Sequence, residues 1–168
     1  ILSLLEASVR YSNNQPDFEN IDKIIKIGKE MLAQTIQLLP EVEETLQHLS
    51  EHYTLIMITK GDLLDQQRKI EKSGLSKYFI STEIVSEKDE QTYLEILKKN
   101  NTLPKHFLMV GNSLKSDILP VRKIGGTGIY IPHKFTWKHE EIESAFDLQR
   151  VVELKTISAL KVWLNDQS

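Results

Sequence analysis

The sequence predicts an α/β protein, a mostly parallel sheet with helices on both faces, preceded by a purely helical segment. Three observations predict it. Short continuous apolar runs rich in β-formers, such as "YTLIMI" (53–58) and "HFLMVG" (106–111), read as strands buried on both faces. Helical periodicity resumes a few residues after each run. Residues 1–39, in contrast, carry helical periodicity and no strand pattern. Strands that alternate with helices on short connections pair in parallel, because the helical crossovers that parallel pairing requires cover the sheet faces.

The elements follow in chain order. "ILSLLEASVRY" places apolar residues at 1, 2, 4, 5 and 9, an amphipathic helix already under way at Ile1 with no N-cap before it; we expect the chain to be the C-terminal part of something longer. "QPDFEN" starts a second helix from Phe18 to Leu38, with apolar positions at 21, 24, 25, 27, 31, 32, 36 and 39. Pro40 breaks that pattern. "PEVEETLQHLSEH" opens a new helix with a proline at its start and acids in its first turn. The break near Leu39–Pro40 is the expected domain boundary, giving 1–39 and 40–168.

Beyond it come the 53–58 strand, the turn "TKGD", and a helix from Leu63 to Ser73 stopped by Gly74, with Asp62 expected to cap it. "YFISTEIV" (78–85) is a second strand and "EKDEQTYLEILKKNN" (87–101) a helix. The third strand, 106–111, leads to the short helix "KSDILPVRKIGG" and a fourth strand, "TGIYIP" (127–132). "HKFTWKHEEIESAF" reads as an irregular surface segment, followed by a last strand "RVVEL" and a last helix "ISALKVWL".

Composition excludes several classes of function. The 40% hydrophobic and 27% charged fractions over 168 residues are those of an ordinary globular protein. A net charge of -3 without a basic stripe argues against nucleic acid as a partner. Zero cysteines remove disulfides, thiol catalysis and Cys-ligated zinc, and fit a cytoplasmic protein. No apolar run approaches the length of a membrane span, so no membrane partner is expected.

In an open parallel sheet, ligands bind beyond the C-terminal ends of the strands. The first strand ends in Thr59-Lys60-Gly61-Asp62, the second near Ser86-Glu87-Lys88, and the third in Gly111-Asn112-Ser113 with Asp117 one turn on. A hydroxyl and an ammonium can hold phosphate oxygens, and Asn and Asp oxygens can hold a hard cation. Each stretch taken alone also reads as an ordinary turn, since Gly, Asn, Ser and Asp are common turn residues. Their order along the strands is what makes them informative together.

That order resembles the haloacid dehalogenase-like hydrolase superfamily, over about residues 38–132. "LLPEVEETLQHLSEHYTLIMITKGD" is similar to the lead-in to its second motif, which implies that Thr59 is the phosphate-binding hydroxyl, with Lys60 and Gly61 beside it. "GNSLKSD" is similar to its fourth motif, which implies that Asn112 and Asp117 serve a Mg²⁺ site. Lys88 best matches the third-motif lysine, although Asp89 stands where a proline often follows in the family. The resemblance implies a Rossmann-like core over 40–168, lacking its N-terminal strand, and the remnant of a helical cap over 1–39.

It further implies a Mg²⁺-dependent phosphatase acting on a small phosphorylated metabolite through an aspartyl-phosphate, with Thr59 and Lys88 as the catalytic residues present. The family's first motif, a strand ending in Asp-x-Asp, occurs nowhere in these 168 residues; "GDLLD" has the wrong spacing. The nucleophile is therefore expected in an N-terminal segment outside them. Asn112 is a second departure, since the family more often has Asp there. The alternative reading is a catalytically inactive protein that kept the phosphate- and metal-binding edge. "GGTG" (125–128) lacks nucleotide-loop spacing and reads as a helix stop. His133 and His139 flank "KFTW" and read as surface histidines, with Phe135 and Trp137 placed to pack over the site or meet a partner.

Overall fold

The computed structural model describes residues 2–12, 17–133 and 151–167. They fall into two compact units, Ile1–Gln37 and Leu38–Ser168.

The first unit is a helical pair, α1 (Leu2–Tyr11) and α2 (Phe18–Ala33), which pack on each other. Asp17 caps α2 by accepting from the backbone N–H groups of Glu19 and Asn20. The sequence pattern carries this helix to Leu38, but the structure ends it at Ala33, with Gln34 already extended (φ -55°, ψ 139°). The β-branched Thr35 and Ile36 are poor helix formers, and Pro40 disfavours the helical region for the residue before it. Apolar spacing alone could not register that stop.

The second unit holds the sheet. Helix α3 (Val42–Ser50) leads to strand β1 (Ile56–Lys60), then α4 (Leu63–Ser73), β2 (Ser81–Val85) and α5 (Glu90–Lys99). Strand β3 (Leu108–Gly111), a single π turn at Leu114–Ile118, α6 (Leu119–Lys123) and β4 (Thr127–Tyr130) follow, and β5 (Val152–Glu153) and α7 (Ala159–Asn165) close the described chain. Every pairing is parallel: β1 with β2, β3 with β4, and β4 with β5. Among the described residues no ladder joins β1 to β3, so the sheet is in two parts, β1-β2 and β3-β4-β5.

Alternation along the strands separates two cores. Ile56 and Ile58 of β1 and Met109 of β3 face Tyr93 and Ile96 of α5 and Val121 of α6. Leu108 and Val110, the neighbours of Met109, point the other way, joining Ile129 of β4, Leu49 of α3 and Leu160 of α7. Both parts of the sheet contribute to the first cluster. Helices therefore cover both faces, α5 and α6 on one and α3 and α7 on the other, as the continuous apolar runs predict. An ion pair and a hydrogen bond tie α7 and its N-terminus to α3: Lys161 Nζ lies 2.8 Å from Glu44, and Ser158 Oγ donates to Glu41 at 2.7 Å.

Strand limits shift from the apolar runs. The first strand begins three residues later than its run and takes in Thr59 and Lys60, because β2 supplies ladder partners up to Val85. The turns Ser76–Tyr78 and Pro104–His106 take in Tyr78 and His106, the first residues of the second and third apolar runs. His133 is exposed, while Phe135, Trp137 and His139 lie outside the described residues. No described helix is long and apolar enough to cross a membrane.

Candidate active site

All strands of the second unit run parallel, so their C-terminal ends share one edge of each part of the sheet. Thr59 and Lys60 close β1, Lys88 follows β2, and Asn112 and Asp117 follow β3.

At the end of β1, Thr59 lies opposite Ile84 and Lys60 opposite Val85. The Thr59 hydroxyl donates to Gln66 Oε1 on α4 at 2.8 Å, which fixes its direction. Gly61 follows with φ +147°, a conformation that favours glycine, and a Cβ there would press on the Gln66 side chain at 3.1 Å. The tight turn lets α4 begin at once, capped by Asp62, whose carboxylate accepts from the Asp65 N–H at 3.0 Å. The Lys60 ammonium is 3.7 Å from Glu87, beyond the end of β2.

Lys88 and Asp117 form the centre of the site. Lys88 Nζ lies 2.7 Å from Asp117 Oδ1, with side-chain exposures of 11% and 5%. Each of the other ion pairs described has at least one partner that is a quarter exposed or more; this pair is buried on both sides. Asp89, standing where the family often has proline, accepts from the Thr92 N–H at 2.8 Å and caps α5. That bond holds the Asp89 carboxyl below its ordinary pKa. A side-chain cap thus stands where the family often has proline, at the start of the helix that follows Lys88.

The Asp117 carboxylate is held from several sides. Its Oδ2 accepts from the Ser113 N–H at 3.0 Å, and Ser113 itself caps the π turn by accepting from the Ser116 N–H at 3.0 Å. Tyr93, fully buried on α5, donates its hydroxyl to Ser116 O at 2.9 Å. Burial, and secondarily the Asp117 charge, push the Tyr93 pKa up, so it stays a neutral donor. Gly111, the last residue of β3, lies so close that any Cβ there would collide with the Asp117 carboxylate. π turns of this kind are rare and concentrate at functional sites.

The structure therefore brings Lys88 and Asp117 into direct contact, and places Asn112, exposed, at the end of β3 on the same sequence loop as Asp117. Thr59, Lys60 and Gly61 stand at the end of β1 on the other part of the sheet. Sequence reasoning missed Gln66 and Tyr93, and it named Gly111 and Ser113 at the strand end without giving them a role. A glycine at the end of an apolar strand does signal a close backbone approach, so Gly111 was within reach. The Tyr93 contact spans 23 positions and leaves no local signature.

With a buried lysine–carboxylate pair beyond the ends of parallel strands, the chain matches one hydrolase family. Its model, described as "Haloacid dehalogenase-like hydrolase", matches residues 3–130. The chain belongs to this family. A haloacid dehalogenase-like family hydrolase from Xanthomonas campestris is 34% identical with a TM-score of 0.82, over 98% of this chain and 70% of that one. A HAD phosphatase from Thermococcus onnurineus is 22% identical with a TM-score of 0.62, over 76% of this chain and 58% of that one. A 2-haloacid dehalogenase from Pseudomonas syringae pv. tomato DC3000 is 21% identical with a TM-score of 0.65, over 94% and 67%. The last two show the shared fold alone, and the chain spans little more than half of the T. onnurineus protein. No curated protein matches the chain. The family is one of hydrolases, and its structural neighbours include both a phosphatase and a 2-haloacid dehalogenase.

Proposed function

We propose that this haloacid dehalogenase-like protein is a Mg²⁺-dependent phosphatase for a small phosphorylated metabolite, working in the cytoplasm through an aspartyl-phosphate. The observation that carries the reading is the buried Lys88–Asp117 pair set on a loop that also offers Asn112. Haloacid dehalogenation does not require oxygen ligands for a cation, whereas phosphoryl transfer uses them to hold charge.

The chain's own residues divide the work. Lys88 has three N–H donors, one of them directed at Asp117, which leaves donors for a phosphoryl oxygen. Asp117 holds the ammonium in place. The Thr59 hydroxyl, turned from Gln66, donates to a second phosphoryl oxygen, and the backbone N–H groups near Lys60 serve a third. The donor set also fits Mg²⁺: Asp117 has further lone pairs beyond its two observed bonds, Asn112 offers an amide oxygen, and Mg²⁺ keeps several waters. When bound, the ion would neutralise charge on the transferring phosphoryl group. The nucleophile and general acid would come from a segment outside these 168 residues, on a strand seated between the unpaired edges of β1 and β3.

A second reading, an inactive phosphate- or metal-binding protein, is favoured by Asn112, which carries one negative charge fewer than the usual Asp. One experiment separates them. The coding sequence before Ile1 is read, the full-length product is purified, and p-nitrophenyl phosphate hydrolysis is followed with Mg²⁺ and with chelator. An upstream Asp-x-Asp strand, Mg²⁺-dependent turnover, and a loss of about 100-fold or more in Lys88→Ala support the enzyme. Wild-type turnover in Lys88→Ala refutes the assignment. Phosphate binding without turnover moves the protein to the second reading.

A further inference from the structure

Away from the strand ends, His48, Glu51 and His52 gather at the C-terminal end of α3. Their ligand atoms lie within 4.8 Å of one another and all three residues are exposed. The two imidazoles are four positions apart, the spacing that stacks side chains on one helical face, and their ring centroids are 4.9 Å apart at 40°. We propose that these three residues form a binding site for a divalent transition cation of the zinc class, separate from the candidate active site.

Three features of the geometry support it. His52 Nδ1 lies 2.9 Å from His48 O, the carbonyl one turn earlier in the chain. A carbonyl can only accept, so Nδ1 carries the hydrogen and the neutral ring presents its lone pair at Nε2. Zinc-binding histidines are held in the same way, with the far ring nitrogen donating to a carbonyl or carboxylate. The cluster also sits at a helix C-terminus, where the last carbonyls carry a partial negative charge that favours a cation. Finally, the spacing is nearly that of a formed site. Ligands about 2.0–2.1 Å from a tetrahedral ion are about 3.3 Å apart, so small rotamer changes close the gap. Exposed side chains make such changes without repacking a core.

Two imidazole nitrogens and a carboxylate oxygen suit Zn²⁺, Ni²⁺, Co²⁺ or Cu²⁺ and not Mg²⁺, which prefers oxygens alone. The position differs from the candidate active site as well. His52 lies between α3 and β1, at the N-terminal end of that strand, whereas Thr59 and Lys60 close its C-terminal end. An ion there would bridge the last turn of α3 to the segment entering the sheet, stabilising the join without entering the phosphate site.

The test uses tag-free protein titrated with ZnCl₂ by calorimetry in a large excess of Mg²⁺, which covers the oxygen ligands at Asp117. Saturable uptake in the micromolar range is expected, weakened about 10-fold or more in His48→Ala and in His52→Ala, with His106→Ala unchanged. Because His52 also caps the helix, His48→Gln serves as the variant that removes an imidazole without touching the cap, with circular dichroism verifying its fold. Absence of Zn²⁺ uptake below millimolar concentration in the wild type, or equal affinity in wild type and His48→Gln, overturns the proposal.

Discussion

Replacing Asp117 by Asn keeps the shape of the side chain and an oxygen for the Ser113 N–H, but removes the charge that faces Lys88. The ammonium would then be left at 11% exposure with its carboxylate partner gone. Breaking a buried pair from one side costs about 3–5 kcal/mol, since an uncompensated charge remains. We place Asp117→Asn at about 3 kcal/mol, because the residual exposure of Lys88 admits some water. Lys88→Met strands the carboxylate, which still accepts from Ser113, and costs a similar amount. In the double variant no charge is stranded, so the loss falls short of the sum by about 2–3 kcal/mol. Urea unfolding of the four proteins, with equal m-values verifying two-state comparison, measures the coupling. A buried pair is little screened, so the coupling should persist in about 1 M NaCl. Losses that add within about 0.5 kcal/mol would refute the claim that the pair acts as a unit.

Further outcomes follow from the same site. Gly111→Ala drives a methyl into the Asp117 carboxylate and should cost about 1–3 kcal/mol; an unchanged melting temperature would count against the close approach. Tyr93→Phe loses the bond to Ser116 O, worth about 1 kcal/mol near neutral pH. It should also change the alkaline limb. The folded pKa of Tyr93 is raised, so above about pH 10 the unfolded chain sheds this proton while the folded chain keeps it, and stability falls by about 1.4 kcal/mol per pH unit. The phenylalanine variant should lack that component, and identical slopes in urea titrations from pH 9 upward (about one unit below the tyrosine reference value) would contradict it. Asn112→Asp should tighten Mg²⁺ binding in the full-length protein; unchanged calorimetric affinity would show that Asn112 is not a ligand.

By itself the sequence determined the alternation of strands and helices, because short β-branched and apolar runs bounded by turn residues, each followed by helical periodicity, are the pattern of strands buried on both faces of a parallel sheet. It also carried an expectation for the strand ends: the order Thr59, Lys88, Asn112, Asp117 along the chain pointed to phosphate and metal. Local caps were legible in the same way, since the bonds of Asp62 and Gly74 lie within a few residues of chain. Other features depended on tertiary structure. Helix α2 stops at Ala33 although its apolar spacing runs on, because backbone preferences at Thr35 and Ile36 outweigh periodicity. The ion pair between Lys88 and Asp117 joins positions 29 apart, and the Tyr93 hydroxyl reaches Ser116 across 23, so neither contact has a local pattern to betray it. Nor does a sequence reveal that Ser113 closes the second oxygen of Asp117 through its backbone, since any residue carries that N–H. Residue types set which charges the edge could carry; packing of α5 against the π turn decided which of them meet out of reach of water.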